Sequence, residues 1–219
     1  MLSGTDRPLN IAHRGASKGA PQNTLAAFDL ALTMGADGIE LDVRLCADNV
    51  PVVIHDATVD ATTNGSGRVE AMRLEELKRL DAGSSFSPAF ADERIPTLAE
   101  VLEAFGRRLL INIELKRRRL CNAGLEEAVV DLVEHYSLQE DVLLSSFNPL
   151  ALRRVQQIAP DIATGLLCAH VPWLSVRLGR LTMPRPTTAV HPHHKVLDEG
   201  IVAWTRANDV RILVWTVDE

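Results

Sequence analysis

Short apolar runs alternate along this chain with longer segments in which apolar residues recur every three or four positions. The short runs predict strands at residues 9–13, 38–43, 50–55, 109–115, 142–146, 164–167, 188–191 and 211–217. The longer segments predict helices at residues 23–34, 98–105, 125–136, 149–158 and 197–208. Asn23 is placed to cap the first helix, and Gly35 to follow its end. Alternating strands and helices predict a parallel sheet covered by helices.

One connection departs from this alternation. The runs 38–43 and 50–55 are separated by only six residues, whereas a crossover between parallel strands needs about a dozen or more. These two runs therefore predict a hairpin that turns near residues 47–49. The turn brings His55 back beside Asp42.

The following segment, residues 57–95, is rich in polar turn residues and carries one short amphipathic stretch at 74–80. We interpret it as a capping insertion within a single domain that spans residues 1–219. The fold class is α/β, a TIM (β/α)8-type barrel. Such barrels take about 250 residues, and the chain has 219, so we expect this sequence to lack the last β/α unit.

Composition narrows the class of protein. Hydrophobic residues make up 46% of the chain, which is enough for a core and excludes a disordered protein. A net charge of −6 and 4% aromatic residues argue against nucleic-acid partners. We expect no integral membrane segment and a cytoplasmic location, because apolar runs are short and the first residues lack a signal-peptide core. A monomer and a homo-oligomer both remain open.

The cysteines do not indicate a functional site. Cys46, Cys121 and Cys168 are widely spaced, which argues against a disulfide framework and against a zinc site built from paired cysteines. The His191–His194 stretch has the residue types of a metal cluster. Its proline and its place after a strand favour a solvated loop instead.

Carboxylates stand where a buried strand is normally apolar. Glu40 and Asp42 share one face of the 38–43 strand by period-two alternation, and Glu114 shares a face of the next strand with Asn112 and Lys116. Ionised carboxylates that point inward are costly unless they are paired or bind a metal. Oxygen ligands of this kind suit one divalent cation, Mg²⁺ or Ca²⁺. The alternative is that Glu114 pairs with Lys116 and Glu40 with Arg44.

Two histidines end strands close to these carboxylates. His13 precedes Arg14 and Gly15, and His55 ends the returning arm of the hairpin. An imidazole pair supplies an acid and a base, and a guanidinium binds phosphate through two hydrogen bonds. Together with a divalent cation this set of groups suits phosphodiester cleavage.

The sequence resembles the glycerophosphodiester phosphodiesterase family over nearly its whole length. The matching stretches occur in family order: His13-Arg14-Gly15, Asn23-Thr24, Glu40-Leu41-Asp42-Val43, Val52-Val53-Ile54-His55-Asp56, Thr63-Asn64-Gly65, Ile95-Pro96-Thr97-Leu98, Ile113-Glu114-Leu115-Lys116, Ser145-Ser146-Phe147 and Trp215-Thr216-Val217. Gln22, Ala61 and Ser85 depart from the residues usual in this family.

The resemblance implies a set of functional residues. Its metal ligands are Glu40, Asp42 and Glu114, its acid–base pair is His13 and His55, its phosphate contacts are Arg14 and Lys116, and Phe147 and Trp215 line the alcohol or glycerol side. The implied reaction is the metal-dependent hydrolysis of a small-molecule glycerophosphodiester to glycerol 3-phosphate and an alcohol. Water and the glycerol hydroxyl of the substrate both remain open as the nucleophile.

Two other functions compete with this one. The first is a phospholipase D-like hydrolase of lysophospholipids, which needs an apolar groove or a membrane-binding face. The second is a catalytically inactive binding domain. The full set of histidines and carboxylates argues against the binding domain, and the early end of the sequence argues for it.

Overall fold

A computed structural model of the chain describes residues 7–116, 124–169 and 188–217. The chain divides into two compact units, Met1–Val142 and Leu143–Glu219. Both units contain parallel strands and helices that alternate along the chain, and the first unit adds one antiparallel strand. The predicted alternation is therefore confirmed within each of them.

The first unit places its helices between parallel strands. Its strands are β1 (Ile11–His13), β2 (Gly38–Leu45), β3 (Pro51–Val53) and β4 (Leu110–Leu115). Its helices are α1 (Leu25–Thr33), α2 (Leu74–Arg79), α3 (Leu98–Phe105) and α4 (Leu125–His135), with 3-10 turns at Val69–Ala71 and Pro88–Phe90. Strand β2 lies parallel to both β1 and β4.

The predicted hairpin is present. Strand β3 runs antiparallel to β2, with Val43 opposite Val53. The backbone N–H of Ile54 donates to the carbonyl oxygen of Asp42 at 2.9 Å, which brings His55 next to Asp42. Asn49 adopts a left-handed conformation in the turn, with φ of 59°, as asparagine does readily.

The capping residue of helix α1 lies one position later than predicted. The side chain of Thr24, not that of Asn23, caps the helix by accepting a hydrogen bond from the backbone N–H of Ala27 at 3.3 Å. The amide of Asn23 donates instead to Asp42 Oδ2 at 2.8 Å. Gly35 follows the helix with φ of 80°, as predicted.

The segment 57–95 packs around a small apolar core that it shares with the β2–β3 hairpin. Buried side chains from this segment pack with three buried residues of the β2–β3 hairpin. The segment contributes Val59, Val69, Leu77, Ala82 and Ile95, and the hairpin contributes Cys46, Val52 and Ile54. An ion pair between Lys78 and Glu100 joins α2 to α3. The buried side chains of this segment thus pack directly against the β2–β3 hairpin.

The second unit repeats the parallel arrangement. Its strands are β5 (Val142–Ser146), β6 (Ala163–Cys168), β7 (Ala189–Pro192) and β8 (Arg211–Ile212), and each lies parallel to the next. Its helices are α5 (Pro149–Ile158) and α6 (Glu199–Ala207), with a 3-10 turn at His194–Val196. The predicted strand at 211–217 is regular over only two residues. Beyond it, Trp215 makes a single parallel bridge to His193.

The cysteines and the helix lengths were the subject of two further predictions. Cys46 and Cys168 are buried free thiols, and Cys121 lies outside the described residues. No described helix has the length and apolarity needed to cross a bilayer.

Candidate active site

Three carboxylates meet on one face of β2 and β4, with Glu40 and Asp42 in the middle of β2 and Glu114 next to the last residue of β4. The parallel register sets Glu40 opposite Asn112 and Asp42 opposite Glu114, and alternation turns all four side chains to the same face of the sheet. Glu40, Asp42 and Glu114 each offer one oxygen within 4.8 Å of the others. Among the described residues, this is the group of His, Cys, Asp and Glu side chains with the geometry of a metal site.

Each carboxylate is also held by a donor from the protein. The backbone N–H of Arg14 donates to Glu40 Oε2 at 3.0 Å. Asn23 Nδ2 donates to Asp42 Oδ2, and Lys116 Nζ lies 2.6 Å from Glu114 Oε1. One oxygen of each carboxylate is thereby occupied, which fixes the direction in which the second oxygen points.

The cluster retains negative charge after these contacts. Lys116 Nζ also lies 3.0 Å from Asp42 Oδ1, and Arg14 Nε lies 3.3 Å from Asp42 Oδ2. Neither approach has hydrogen-bond geometry, since Asp42 Oδ1 and Arg14 Nε are buried atoms without a hydrogen-bond partner. Three carboxylates therefore face one ammonium and one guanidinium. A buried oxygen without a partner and an excess of negative charge both fit a divalent cation.

The pKa values of the carboxyls follow from this imbalance. Burial, together with the charges of Asp42 and Glu114, raises the pKa of Glu40 well above its usual range. Burial likewise raises the pKa of Glu114. Burial opposes ionisation of Asp42 as well, but Lys116, Arg14 and Asn23 outweigh it and lower the pKa of that carboxyl. Asp42 is thus the carboxylate that the protein itself holds in the charged form.

The two predicted histidines flank the cluster. His13 Nε2 lies 3.8 Å from Glu40 Oε2. Burial, with the nearby charge of Arg14, lowers the pKa of His13 to about 4. His55 Nδ1 lies 2.7 Å from Asp56 Oδ1, and burial lowers the pKa of His55. Asp56 occupies one ring nitrogen of His55, so Nε2 remains for a substrate.

The loop between β1 and α1, residues 14–24, connects these groups. Arg14 has a left-handed backbone with φ of 56°. Its carbonyl oxygen accepts from the N–H of Asn23 at 3.0 Å, and its Nη1 donates to Gln22 Oε1 at 2.6 Å. At Gly15, φ is 77° and an added Cβ would lie 2.7 Å from Ala27, so only glycine fits. The loop therefore positions Arg14 and Asn23 against the carboxylates.

The alternative ion pairs are only partly present. Lys116 does contact Glu114. Arg44 does not pair with Glu40, because its Nε and Nη2 donate to the carbonyl oxygen of His55 at 2.9 and 2.7 Å. Arg44 thus supports the backbone that carries His55.

The aromatic pair lies in the second unit. Phe147 and Trp215 stack edge to face, with ring centroids 5.7 Å apart. Trp215 Nε1 donates to the carbonyl oxygen of His191 at 2.7 Å, and Phe147 is 46% exposed. The expected solvated loop is wrong for His191, which lies on β7 and is only 2% exposed.

Three residues that contact the site have no functional role in the sequence-based prediction. Asn23, Gln22 and Asp56 touch Asp42, Arg14 and His55 respectively. Their closeness in sequence to predicted site residues could have identified them. Asp56 follows His55, and Gln22 and Asn23 lie in the loop after His13-Arg14. Which contact each makes depends on tertiary structure. Asn112 was seen to share the face of Glu114, and its Oδ1 is buried without a hydrogen-bond partner.

Carboxylates and histidines grouped at the carboxyl ends of parallel strands are typical of α/β barrel enzymes. The sequence profile of the glycerophosphoryl diester phosphodiesterase family matches residues 13–219, and the chain belongs to that family. A glycerophosphodiester phosphodiesterase from Caldanaerobacter subterraneus is 45% identical over 216 residues, which cover 97% of this chain and 86% of the relative.

Solved structures agree with this assignment. An Oleispira antarctica phosphodiesterase in complex with the product sn-glycerol-3-phosphate has a TM-score of 0.87 and 33% identity, over 97% of this chain and 85% of the other. A glycerophosphodiester phosphodiesterase from Agrobacterium tumefaciens has a TM-score of 0.83 and 34% identity, over 97% and 88%. The predicted α/β barrel class is confirmed.

Proposed function

We propose that this protein hydrolyses glycerophosphodiesters to glycerol 3-phosphate and an alcohol. The observation that carries the proposal is the group of Glu40, Asp42 and Glu114 within 4.8 Å of one another, with His13 and His55 beside it. The names of the relatives and the product bound to the Oleispira antarctica enzyme support the same substrate class.

We infer that the three carboxylates bind one divalent cation, Mg²⁺ or Ca²⁺. The unpartnered Asp42 Oδ1 and the excess negative charge support this inference. When bound, the cation supplies a Lewis acid for the phosphate oxygens. Lys116 and Arg14 carry the positive charges that contact the phosphate, because both already lie at the cluster.

The histidines move the protons. One imidazole takes the proton from the attacking hydroxyl, and the other gives a proton to the alcohol oxygen as its bond to phosphorus breaks. Burial lowers the pKa of His13 to about 4 and also lowers that of His55, so both rings are neutral near pH 7 before substrate binds, which is the form that the base requires. The ring that acts as the acid must carry a second proton, and the negative charge of the bound phosphodiester favours that protonated form. Asp56 favours the charged form of His55 when the proton arrives.

Two parts of the proposal concern specificity. We infer that Phe147 and Trp215 contact the glycerol or alcohol part, because Phe147 is 46% exposed and its ring packs edge to face against Trp215. Residues 57–95 form the cap. A cleft lined by Gln22, His55 and Thr62 borders this segment, which supports a role for the cap in substrate choice. Exchanging the segment should change substrate preference more than metal affinity, and equal losses of both would contradict that role.

The direct test is product release. The chain is freed of metal with a chelator and incubated with glycerophosphocholine, glycerophosphoethanolamine or lysophosphatidylcholine. We expect glycerol 3-phosphate from the first two substrates only after Mg²⁺ or Ca²⁺ is added. Release of lysophosphatidic acid alone would favour the lysophospholipid hydrolase, and no release from any substrate would favour a binding domain.

A further inference from the structure

Asn23 contacts one carboxylate of the cluster at two points. Its Nδ2 donates to Asp42 Oδ2 at 2.8 Å, and its Oδ1 accepts from the backbone N–H of Asp42 at 3.4 Å. The residue is 4% exposed, so water does not compete for the amide. The contact joins residues 19 positions apart in sequence.

The conformation of Asn23 serves this contact and not the helix that follows. Thr24 supplies the cap of α1, which leaves the Asn23 amide free of that task. The backbone of Asn23 is left-handed, with φ of 59°, and its N–H donates to the carbonyl oxygen of Arg14 at 3.0 Å. The loop thus adopts an uncommon backbone conformation at Asn23, and this conformation directs the side-chain amide toward Asp42.

We propose that Asn23 is the positioning residue for Asp42 as a metal ligand, holding Oδ2 so that only Oδ1 faces the cation. This proposal rests on the metal site of the proposed function. A hydrogen bond to one carboxylate oxygen makes that oxygen a poorer ligand and directs the other oxygen toward the cation. Mg²⁺ accepts six single oxygens, whereas Ca²⁺ takes six to eight ligands and often both oxygens of one carboxylate. Asn23 therefore favours the smaller cation.

Two glycine variants give a matched test. Asn23→Gly removes the amide and tolerates the left-handed backbone. Asn49→Gly makes the same change at a residue that also has φ of 59° but lies in the β2–β3 turn. Binding of Mg²⁺ and of Ca²⁺ to the metal-free full chain is measured by titration calorimetry, and unfolding temperature is measured alongside.

We expect Asn23→Gly to weaken Mg²⁺ binding by about 10- to 100-fold, the usual effect of losing a partner of a metal ligand, and Ca²⁺ binding by less. Asn49→Gly should bind both cations like the wild type. Unchanged Mg²⁺ affinity in Asn23→Gly, or equal losses for both cations, would overturn the proposal.

A second variant keeps the test decisive if the glycine variant does not fold. Asn23→Ser retains a small polar side chain, but its hydroxyl is too short to reach Asp42 Oδ2, and the same cation-specific loss is expected. If the wild type binds neither cation, the metal site of the proposed function fails and the Asn23 proposal falls with it. If the wild type binds and the Asn23 variants bind equally well, only the Asn23 proposal fails.

Discussion

Both units bury polar side chains on one face of their parallel strands, but the two sets of side chains differ in their hydrogen-bond partners and in their charge. In the first unit, Glu40, Asp42 and Glu114 are surrounded by donors, and Asp42 stays charged. In the second unit, Ser145 and His191 are buried on the face of Gly165, and Ser145 Oγ and His191 Nε2 have no hydrogen-bond partner. Burial lowers the pKa of His191 to about 3, so that imidazole is neutral.

The difference shows what sustains charge inside a protein. A buried group ionises only where donors or counter-charges replace water. The first unit supplies these through Arg14, Asn23 and Lys116. The second unit supplies none to His191 among its described residues, so His191 contributes packing there. We therefore expect changes at the first cluster to affect activity and metal binding, and changes at His191 to affect stability.

The largest effect is expected at the histidines of the first unit. His13→Ala or His55→Ala should each lower turnover of glycerophosphocholine by about 10²- to 10⁴-fold, because each removes a proton-transfer group. Steady-state kinetics measures the loss, and excess metal should not restore it. His135→Ala, on the exposed face of α4, is the control. Wild-type turnover in both variants would contradict their assigned roles.

The next effect concerns the carboxylates. Glu114→Gln removes a negative charge from the cluster, and we expect Mg²⁺ affinity to fall by at least about tenfold. Excess Mg²⁺ should restore part of the activity, unlike in the histidine variants. Glu103→Gln makes the same change at an exposed position on α3 and should leave both quantities unchanged. Equal metal affinity in wild type and Glu114→Gln would separate Glu114 from the metal site.

Packing in the second unit gives a smaller effect. A Cβ added at Gly165 would lie 2.3 Å from His191 Nε2, so Gly165→Ala should lower the free energy of unfolding by about 1–3 kcal/mol. Urea denaturation measures this loss. Adding His191→Ala should make the combined loss smaller than the sum of the two single losses, because the clash disappears. Strictly additive losses would argue against direct contact.

The smallest effect is a pH dependence. The pKa of His191 is about 3 in the folded chain and about 6.5 in the unfolded chain. The unfolded chain therefore binds the proton first, and His191 destabilises the fold as pH falls below about 6.5, by up to about 1.4 kcal/mol per pH unit. Unfolding of wild type and His191→Gln at pH 7.5 and 5.5 tests this. The wild type should lose more stability, and equal losses would show that His191 is not the group responsible.

Sequence patterns predicted what depends on local periodicity. Alternation identified the shared face of Glu40 and Asp42, and the short connection identified the hairpin that returns His55. Contacts between residues that are distant in sequence could not be predicted from these patterns. Asn23 and Thr24 both have side chains that cap helices, and the choice between them follows from Asp42, which the fold brings to Asn23. The burial of His191 likewise depends on the space left by Gly165 on the neighbouring strand.

The central claim is that the charged cluster of the first unit is a metal centre. Crystals of the full chain soaked in Mn²⁺, a cation that uses the same oxygen ligands, would test it by anomalous diffraction. We predict one strong peak within about 2.0–2.6 Å of an oxygen from each of Glu40, Asp42 and Glu114. No peak there, with Lys116 still in contact with Asp42 and Glu114, would contradict the account.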